Sequence, residues 1–262
     1  MKSFKNICRG ISSLKIQGAT NVAKAGIVAY SLNPTQSARN KLLSLRPTEP
    51  ALFNALKFLD NHSVKETLSY FKDSQEKINN YFLKIIRPNS VIFTHCHSST
   101  IVESLLYAKN KGKKFKVYST ETRPRYQGRK TAKELSNAKI DLTFFVDSAM
   151  HEAIESSGII LLGADAILHS GVINKIGSTA IAEIAQVHKK PVYIISDSWK
   201  YFPKQLKIEE RDFHEVWENA PKHVKIRNPA FEKIPKKYIK KIVSELGILT
   251  YKDFLKKAKK FK

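Results

Sequence analysis

Cys96 and Asp165 are the two side chains of this sequence whose surroundings favour acid–base or nucleophilic chemistry. Cys96 lies between two histidines and is followed by Ser98 and Ser99, residue types that commonly cap the start of a helix. Free backbone N–H groups at such a start bind anions and lower the pKa of a thiol, so Cys96 is a candidate thiolate base or nucleophile. The alternative for a lone cysteine is a small buried side chain without chemistry.

The two flanking histidines, His95 and His97, do not predict a metal site. Alternate residues at the end of a strand face opposite ways, and no second pair of ligands has a suitable spacing. We therefore expect neither a metal nor a cofactor.

Asp165 ends an otherwise apolar run, residues 159–164. Partial desolvation there would raise the pKa of its carboxyl group and suit it to act as an acid, although the same group could instead cap the next turn. Downstream, Asn174 and Lys175 lie between two glycines, where we expect a loop that binds a phosphate or a sugar hydroxyl. Lys200 follows the last apolar run.

The elements that must position these side chains are short apolar runs that alternate with amphipathic segments. Such an alternation indicates a parallel sheet with helices on both faces, as in Rossmann-like α/β proteins. The predicted strands span residues 91–95, 115–120, 142–147, 158–165 and 191–196, and the predicted helices residues 99–111, 128–138, 149–156 and 179–188. Ligands bind such a sheet beyond the carboxyl ends of its strands, where Cys96 and Asp165 lie. No G-x-G-x-x-G or G-x-x-x-x-G-K-[ST] motif is present, which disfavours NAD and P-loop nucleotides.

The sequence before residue 89 has the periodicity of helices. Apolar residues recur every three to four positions over residues 7–30, which predicts one helix or two short ones, with breaks at Gly18 and Pro34. Two further helices are predicted over residues 50–61 and 63–86. We therefore predict an α/β protein with a helical N-terminal domain over residues 1–88 and a Rossmann-like catalytic domain over residues 89–262.

The chain has 262 residues, with 46 Lys and Arg against 23 Asp and Glu, so its formal net charge is +23. Such an excess could bind nucleic acid, an anionic membrane or a phosphorylated small molecule, because all three attract clustered cations. No basic–aromatic motif of an RNA-binding module is present, so a nucleic-acid partner is not expected, and the lysine-rich end after Tyr238 is interpreted as a solvated face.

No apolar stretch reaches the roughly 20 residues of a membrane span. Two cysteines are too few for a disulfide framework, so we expect a cytoplasmic protein without a membrane partner.

Five short motifs, in this order and spacing, resemble those of one superfamily. They are Thr94-His95-Cys96-His97-Ser98, Thr120-Glu121-Thr122-Arg123-Pro124, Gly163-Ala164-Asp165, Asn174-Lys175-Ile176-Gly177 and Asn228-Pro229-Ala230-Phe231. The superfamily comprises the α, β and δ subunits of translation initiation factor 2B and the aldose-phosphate isomerases that act on ribose-1,5-bisphosphate and methylthioribose-1-phosphate. The resemblance covers about residues 10–250, and within the superfamily the chain is most similar to the archaeal ribose-1,5-bisphosphate isomerases.

The resemblance implies an acid–base isomerisation that needs no cofactor. Cys96 would remove the proton at C2 of the substrate as a thiolate, and Asp165 would protonate the ring oxygen. The residues implied to hold the phosphates and hydroxyls of the sugar are Gln17, Gly18, Ala19, Arg46, Ser98, Ser99, Asn174, Lys175 and Lys200. Gln17 departs from the family pattern, in which this position is often Arg. An amide cannot make the charge-assisted phosphate contact of a guanidinium.

Two functions of different classes follow from this resemblance. The first is an enzyme that converts ribose-1,5-bisphosphate to ribulose-1,5-bisphosphate in nucleoside salvage. The second is a non-catalytic, initiation-factor-2B-like regulatory subunit that binds a nucleotide or a sugar phosphate. Regulatory subunits commonly lack the cysteine and the aspartate that are present here as Cys96 and Asp165, whereas Gln17 and the high charge favour the second function. The resemblance further implies a homo-oligomer, a dimer or larger, and allows a nucleotide effector.

Overall fold

Five helices precede the first strand in the structure, a computed structural model that describes residues 3–261. They are α1 (Phe4–Ser12), α2 (Ala19–Leu32), α3 (Gln36–Leu45), α4 (Pro50–Phe58) and α5 (Val64–Phe82). The predicted helical start of the chain therefore forms two helices, with a break before Gly18, whose φ of 83° favours glycine. Helix α5 begins with a capping box, in which Ser63 and Glu66 each accept the other's backbone N–H.

Helix α3 does not stand out in the sequence pattern. Thr35 caps it, because its Oγ1 accepts a hydrogen bond from the N–H of Ala38 at 3.2 Å. Only Ala38 and Leu42 of this helix are buried, so its apolar periodicity is too sparse to predict a helix.

Ten strands and five further α-helices follow α5 in the described chain. The strands are β1 (Ser90–Thr94), β2 (Phe115–Thr120), β3 (Asp141–Phe145), β4 (Ile159–Leu162), β5 (Ala166–Ile167), β6 (Gly171–Lys175), β7 (Val192–Ile195), β8 (Phe231–Pro235), β9 (Lys241–Ser244) and β10 (Gly247–Leu249). The helices are α6 (Ser99–Asn110), α7 (Gln127–Asn137), α8 (Met150–Glu155), α9 (Ser178–Val187) and α10 (Tyr251–Ala258).

Seven strands form the main sheet, in the order β10-β9-β7-β4-β1-β2-β3. Every neighbouring pair is parallel except the β9–β10 hairpin. The chain passes from β1 to β2 and β3 on one side and then returns to β4 on the other side. The carboxyl ends of β1 and β4 therefore flank a topological switch point, which is where open α/β sheets bind ligands.

Helices cover both faces of this sheet. On one face, Phe93 and Ile160 pack in a buried cluster with side chains of α8, α9 and α10. On the other face, Ile92 and Leu161 pack with side chains of α5, α6 and α7. The alternation of the strand residues between two apolar layers confirms the predicted α/β fold with a Rossmann-like sheet.

A second, three-stranded sheet in the order β5-β6-β8 corrects one prediction. Asn174 and Lys175 were expected in a loop, but they end strand β6, which is buried along its length. A Cβ atom at Gly171 would lie 2.2 Å from the carbonyl oxygen of Ile234 on β8, so close pairing of the two strands requires a glycine there. The same glycine suggested a loop in the sequence.

The N-terminal helices pack against a short 3₁₀ helix, Ser198–Lys200, that follows β7. The amide of Asn54 in α4 donates to the carbonyl oxygens of Trp199 and Tyr201, at 2.6 and 3.0 Å, and the ring of Tyr70 stacks on that of Trp199 at 3.7 Å between centroids. These contacts fix Lys200 relative to the N-terminal helices.

Helix α5 contributes to two cores. Phe71 packs with the N-terminal helices, and Ile78 and Phe82 pack against the main sheet. A domain boundary between residues 88 and 89 stays a prediction. Over residues 3–261, no helix combines the length and the apolar character needed to cross a membrane.

Candidate active site

A cavity of 620 Å³ lies at the switch point between the carboxyl ends of β1 and β4. The N-terminal helices and the α/β part both line it. Its lining includes every residue singled out from the sequence: Cys96, Asp165, Gln17, Gly18, Ala19, Arg46, Ser98, Ser99, Asn174, Lys175 and Lys200. The structure thus brings the predicted residues together, although the role of each stays a prediction.

Cys96 lies in the turn between β1 and α6. Its φ of 66° places it in the left-handed region, which costs roughly 1–2 kcal/mol for a residue with a Cβ atom. The predicted helix start is present two residues later, where the side chain of Ser98 caps α6 by accepting the N–H of Ile101.

The thiol of Cys96 is not activated in the way the sequence predicted. Burial raises its pKa to about 11, and only part of this effect is offset by the cation of Lys175 and by a hydrogen bond from the backbone N–H of His97. The prediction of a lowered thiol pKa is therefore wrong for the free protein. Desolvation of the buried sulfur outweighs both of these stabilising contacts.

Asp165 connects β4 to β5. Its backbone N–H donates to the carbonyl oxygen of Ile173 at 2.9 Å, which ties it to β6. Burial raises the pKa of its carboxyl group, and the nearby cations of Lys200 and Arg46 oppose the shift. The prediction of a desolvated carboxyl group with a raised pKa is confirmed.

Three side chains from two elements, Ser98 at the start of α6 and Asn174 and Lys175 at the end of β6, converge beside Cys96 and Asp165. A Cβ atom at Gly163 would lie 3.0 Å from Oγ of Ser98 and 3.8 Å from Oδ1 of Asn174, so the end of β4 leaves room for both groups. Asn174 is held by its amide, which donates to Oγ of Ser178 at 2.9 Å. Lys175 is buried, with 4% of its surface exposed, and burial lowers the pKa of its ammonium group.

Arg46 is embedded in a chain of alternating charges along the cavity wall. It pairs with Glu49 and, at 3.6 Å, with Glu209; Glu209 lies 3.5 Å from Arg211, which lies 3.9 Å from Glu215. Arg125 ends the chain, 2.7 Å from Glu215. Several buried atoms of this chain make no hydrogen bond, among them Nε and Nη1 of Arg46 and of Arg211. Nε of Arg46 and both nitrogens of Arg211 lie within 4 Å of the carboxylates of Glu209 or Glu215, so they are paired by charge without a hydrogen bond.

Sequence reasoning missed part of the cavity lining, which includes Lys15, Glu49, His97, Arg125, Tyr126, Gln127, Lys130, Arg211 and Phe231. Most of these residues lie within a few positions of a recognised motif, and that proximity was the available signal. Arg211 has no such neighbour. It lies between β7 and β8, in a segment with little regular structure, so its position could only come from the fold.

His95 also lines the cavity, but both nitrogens of its ring make hydrogen bonds within the protein. It is buried, and burial lowers its pKa, so the imidazole is neutral. Its Nε2–H donates to the carbonyl oxygen of Ile176 at 3.0 Å, and Nδ1 accepts from Oγ1 of Thr120 at 2.6 Å. Among residues 3–261, no group of three or more His, Cys, Asp or Glu side chains is placed to hold a metal ion.

Residues 32–251 match the model of the initiation factor 2 subunit family. The chain belongs to this family. Several relatives of this family member are named ribose 1,5-bisphosphate isomerase. The protein of that name from Methanocaldococcus jannaschii is 35% identical over 283 residues, which cover 95% of this chain and 92% of the relative, and that from Archaeoglobus fulgidus is 32% identical with similar coverage.

Solved structures of the family agree with this assignment. The crystal structure of the translation initiation factor eIF-2B of Pyrococcus horikoshii OT3 superposes with a TM-score of 0.85 at 28% identity, covering 94% of this chain and 96% of that one. The 5-methylthioribose 1-phosphate isomerase of the same organism shares the fold, with a TM-score of 0.79 at 22% identity and coverage of 99% and 88%. The resemblance inferred from the motifs is confirmed.

Proposed function

We propose that this protein is a sugar-phosphate aldose–ketose isomerase that converts ribose-1,5-bisphosphate to ribulose-1,5-bisphosphate. One observation carries the proposal: Cys96 and Asp165 line the same cavity at the switch point of the sheet, between cations suited to phosphates. The names of the relatives from M. jannaschii and A. fulgidus support the same reaction.

Asp165 acts first, as the acid. The pKa of its carboxyl group is raised, so a protonated fraction persists at higher pH than for an ordinary aspartate. It transfers its proton to the ring oxygen, the bond between C1 and that oxygen breaks, and an electron pair of the phosphate-bearing oxygen forms a double bond to C1. The ring is then open, and positive charge lies next to C2.

Cys96 acts second, as the base. With a pKa of about 11, only roughly 1 in 10,000 free thiols is ionised at pH 7. The positive charge at C1 both acidifies the C2 proton and stabilises a neighbouring thiolate. Cys96 takes the C2 proton, and a double bond forms between C1 and C2. The hydroxyl proton at C2 returns to Asp165 as the ketone forms, and the thiol returns its proton to C1, so both groups end in their starting states.

The remaining residues bind and orient the substrate in this proposal. Gln17, Gly18 and Ala19 lie at the start of α2, whose N-cap Gly18 offers no side-chain acceptor, so its backbone N–H groups can donate to a phosphate. Arg46 and Lys200 lie near Asp165, because the charges of both oppose the rise in the pKa of its carboxyl group. Ser98, Ser99, Asn174 and Lys175 complete the site around Cys96.

Proton exchange provides the direct test. The purified protein is incubated with α-ribose-1,5-bisphosphate in D₂O, and ¹H NMR follows the C2 proton and the appearance of the ketose. We expect turnover by the wild type, none detectable for Cys96→Ser, and retained turnover for Cys8→Ser, a matched change of the buried cysteine in α1. Binding of the sugar phosphate without turnover by the wild type would contradict the proposal and favour the regulatory subunit.

Three further expectations remain proposals: a homo-oligomer and a nucleotide effector, which the resemblance suggests, and a cytoplasmic location, which the low cysteine content suggests. Light scattering on the purified protein measures the first. Turnover measured with and without added nucleotide tests the second, and fractionation of the source cells tests the third.

A further inference from the structure

Two residues with left-handed backbones touch each other at the end of the main sheet. Cys96 has a φ of 66°, and Thr122, in the turn after β2, has a φ of 61°. A left-handed backbone is rare for any residue with a Cβ atom and is a marked outlier for a β-branched threonine. Such outliers persist only where the surrounding structure enforces them, and they cluster at functional sites.

Two threonine hydroxyls form hydrogen bonds with the polar groups of the Cys96 backbone, one with its N–H and one with its carbonyl oxygen. Oγ1 of Thr122 accepts the N–H of Cys96 at 2.9 Å, and Oγ1 of Thr131, in α7, donates to the carbonyl oxygen of Cys96 at 2.9 Å. Both threonines are buried, with 0% and 1% of their surface exposed. The oxygen of Thr131 also lies 3.1 Å from Nδ1 of His97, which can donate to it.

Asp147 in turn holds Thr122. One carboxylate oxygen accepts the N–H of Thr122 at 2.8 Å, and the other accepts the N–H of Arg123 at 2.7 Å. Asp147 follows β3, Thr122 follows β2 and Cys96 follows β1, and these three strands are neighbours in the sheet. The hydrogen bonds therefore run across three successive strand ends to the backbone of Cys96.

The left-handed turn has a chemical consequence. Because the N–H of Cys96 is bonded to Thr122, the next N–H along the chain, that of His97, is the one that donates to the sulfur. This N–H stabilises the thiolate. A right-handed backbone at Cys96 would change the direction of the side chain relative to that N–H and to the cavity.

We propose that Thr122 and Thr131, with Asp147 behind Thr122, are positioning residues that hold Cys96 in the left-handed turn required for its sulfur to face the cavity. The inference deepens the proposed function and rests on it for its catalytic part. The three residues act through Cys96 and do not contact the substrate. Their effect is on the geometry and ionisation of the thiol.

The test compares Thr122→Val and Thr131→Val with Thr122→Ser, which keeps the hydroxyl. Two quantities are measured: steady-state kcat and KM for α-ribose-1,5-bisphosphate, and the pH dependence of alkylation by iodoacetamide, followed by mass spectrometry of the peptide that contains Cys96. For both valine variants we expect kcat to fall roughly 10- to 100-fold with little change in KM. Alkylation at pH 8 should slow by roughly tenfold, since a smaller fraction of the thiol is ionised. Thr122→Ser should stay near the wild type in both quantities.

Thr67→Val is the matched control. Thr67 is also fully buried, and its hydroxyl donates to the carbonyl oxygen of Ser63 at 2.8 Å, a hydrogen bond that the valine variant loses. It lies in α5, outside the cavity lining. A loss of kcat by Thr67→Val equal to that of the valine variants would overturn the proposal, as would unchanged alkylation in those variants. If the wild type shows no isomerase activity, the proposed function fails, and the alkylation profiles still decide whether the threonines position the thiol.

Discussion

The carboxyl group of Glu49 forms an ion pair with the guanidinium of Arg46 inside the wall of the cavity. The side chains are 1% and 4% exposed, and Oε2 of Glu49 makes no hydrogen bond. Burial raises the pKa of Glu49 to about 7, and the cation of Arg46 offsets only part of this effect. A buried group that titrates near neutral pH makes the stability of the protein depend on pH.

We expect Glu49→Gln to remove that dependence. The pKa of Glu49 is raised from 4.5, so between about pH 4.5 and 7 the folded state binds more protons than the unfolded state. The contribution of Glu49 to stability is then full at low pH and is lost as the pH rises through this window. Relative to the variant, the wild type should lose about 3 kcal/mol of unfolding free energy between pH 4.5 and pH 8.

Urea denaturation at a series of pH values measures this difference. Glu76→Gln, a change of an exposed carboxyl group in α5, is the control and should follow the wild type. A constant difference between Glu49→Gln and the wild type at all pH values would contradict the prediction.

Gln17→Arg should strengthen binding of a bisphosphate. The new guanidinium would lie at the start of α2 in the lining of the cavity, where it can form charge-assisted hydrogen bonds to a phosphate. We expect the dissociation constant to fall by about tenfold, measured by calorimetry with ribose-1,5-bisphosphate in a Cys96→Ser background that prevents turnover. Gln36→Arg adds the same charge on the exposed side of α3, so equal gains from both changes would show only a long-range effect of charge.

Asp165→Asn should abolish turnover and preserve binding. An amide cannot donate a proton to the ring oxygen, so kcat should fall by at least about 100-fold while the dissociation constant for the closed sugar changes little. NMR exchange and calorimetry measure the two quantities. Asp73→Asn, on the exposed side of α5, is the control, and retained turnover in Asp165→Asn would assign the acid to another group.

Gly128→Ala should destabilise the fold although alanine favours helices. Gly128 lies in the first turn of α7, and a Cβ atom there would lie 1.8 Å from the carbonyl oxygen of Thr120. Relief of this clash must move α7 away from β2, at a cost of about 1–3 kcal/mol, measured by thermal denaturation. At Gly158 the nearest atom would be 3.7 Å away, so Gly158→Ala should be tolerated. Equal melting temperatures for the two variants would refute the steric argument.

The sequence located Cys96 and Asp165 because both follow apolar strands of a parallel sheet, and that topology places strand ends together. It did not predict the ionisation of Cys96, because desolvation depends on what surrounds the sulfur in three dimensions. It also did not reveal the pairing of Arg46 with Glu209, two residues that are far apart in the chain and that no local pattern connects.

The prediction of secondary structure likewise succeeded where the signal is local and failed where it depends on long-range contacts. The long amphipathic pattern of α5 and the apolar runs of five main-sheet strands, β1, β2, β3, β4 and β7, were sufficient for prediction, within a few residues at each end. The other two strands of that sheet, β9 and β10, were not predicted. Strand β6 was not predicted, since its glycine, amide and ammonium groups are typical of a loop and its pairing with β8 is a long-range contact. Local sequence patterns identify helices and strands that have a strong apolar periodicity. A weakly patterned strand such as β6 is defined by its long-range pairing with another strand, which no local pattern shows.

The contacts of Asn54 and Tyr70 with the turn that carries Lys200 have an evolutionary consequence. Lys200 is encoded far downstream of these two residues, but the amide of Asn54 and the ring of Tyr70 hold it in the cavity wall. A recombinant gene that joined the N-terminal helices of one relative to the α/β part of another would retain this wall only if the incoming helices supplied an equivalent amide and aromatic ring. The two parts of the chain therefore build this wall only as a matched pair.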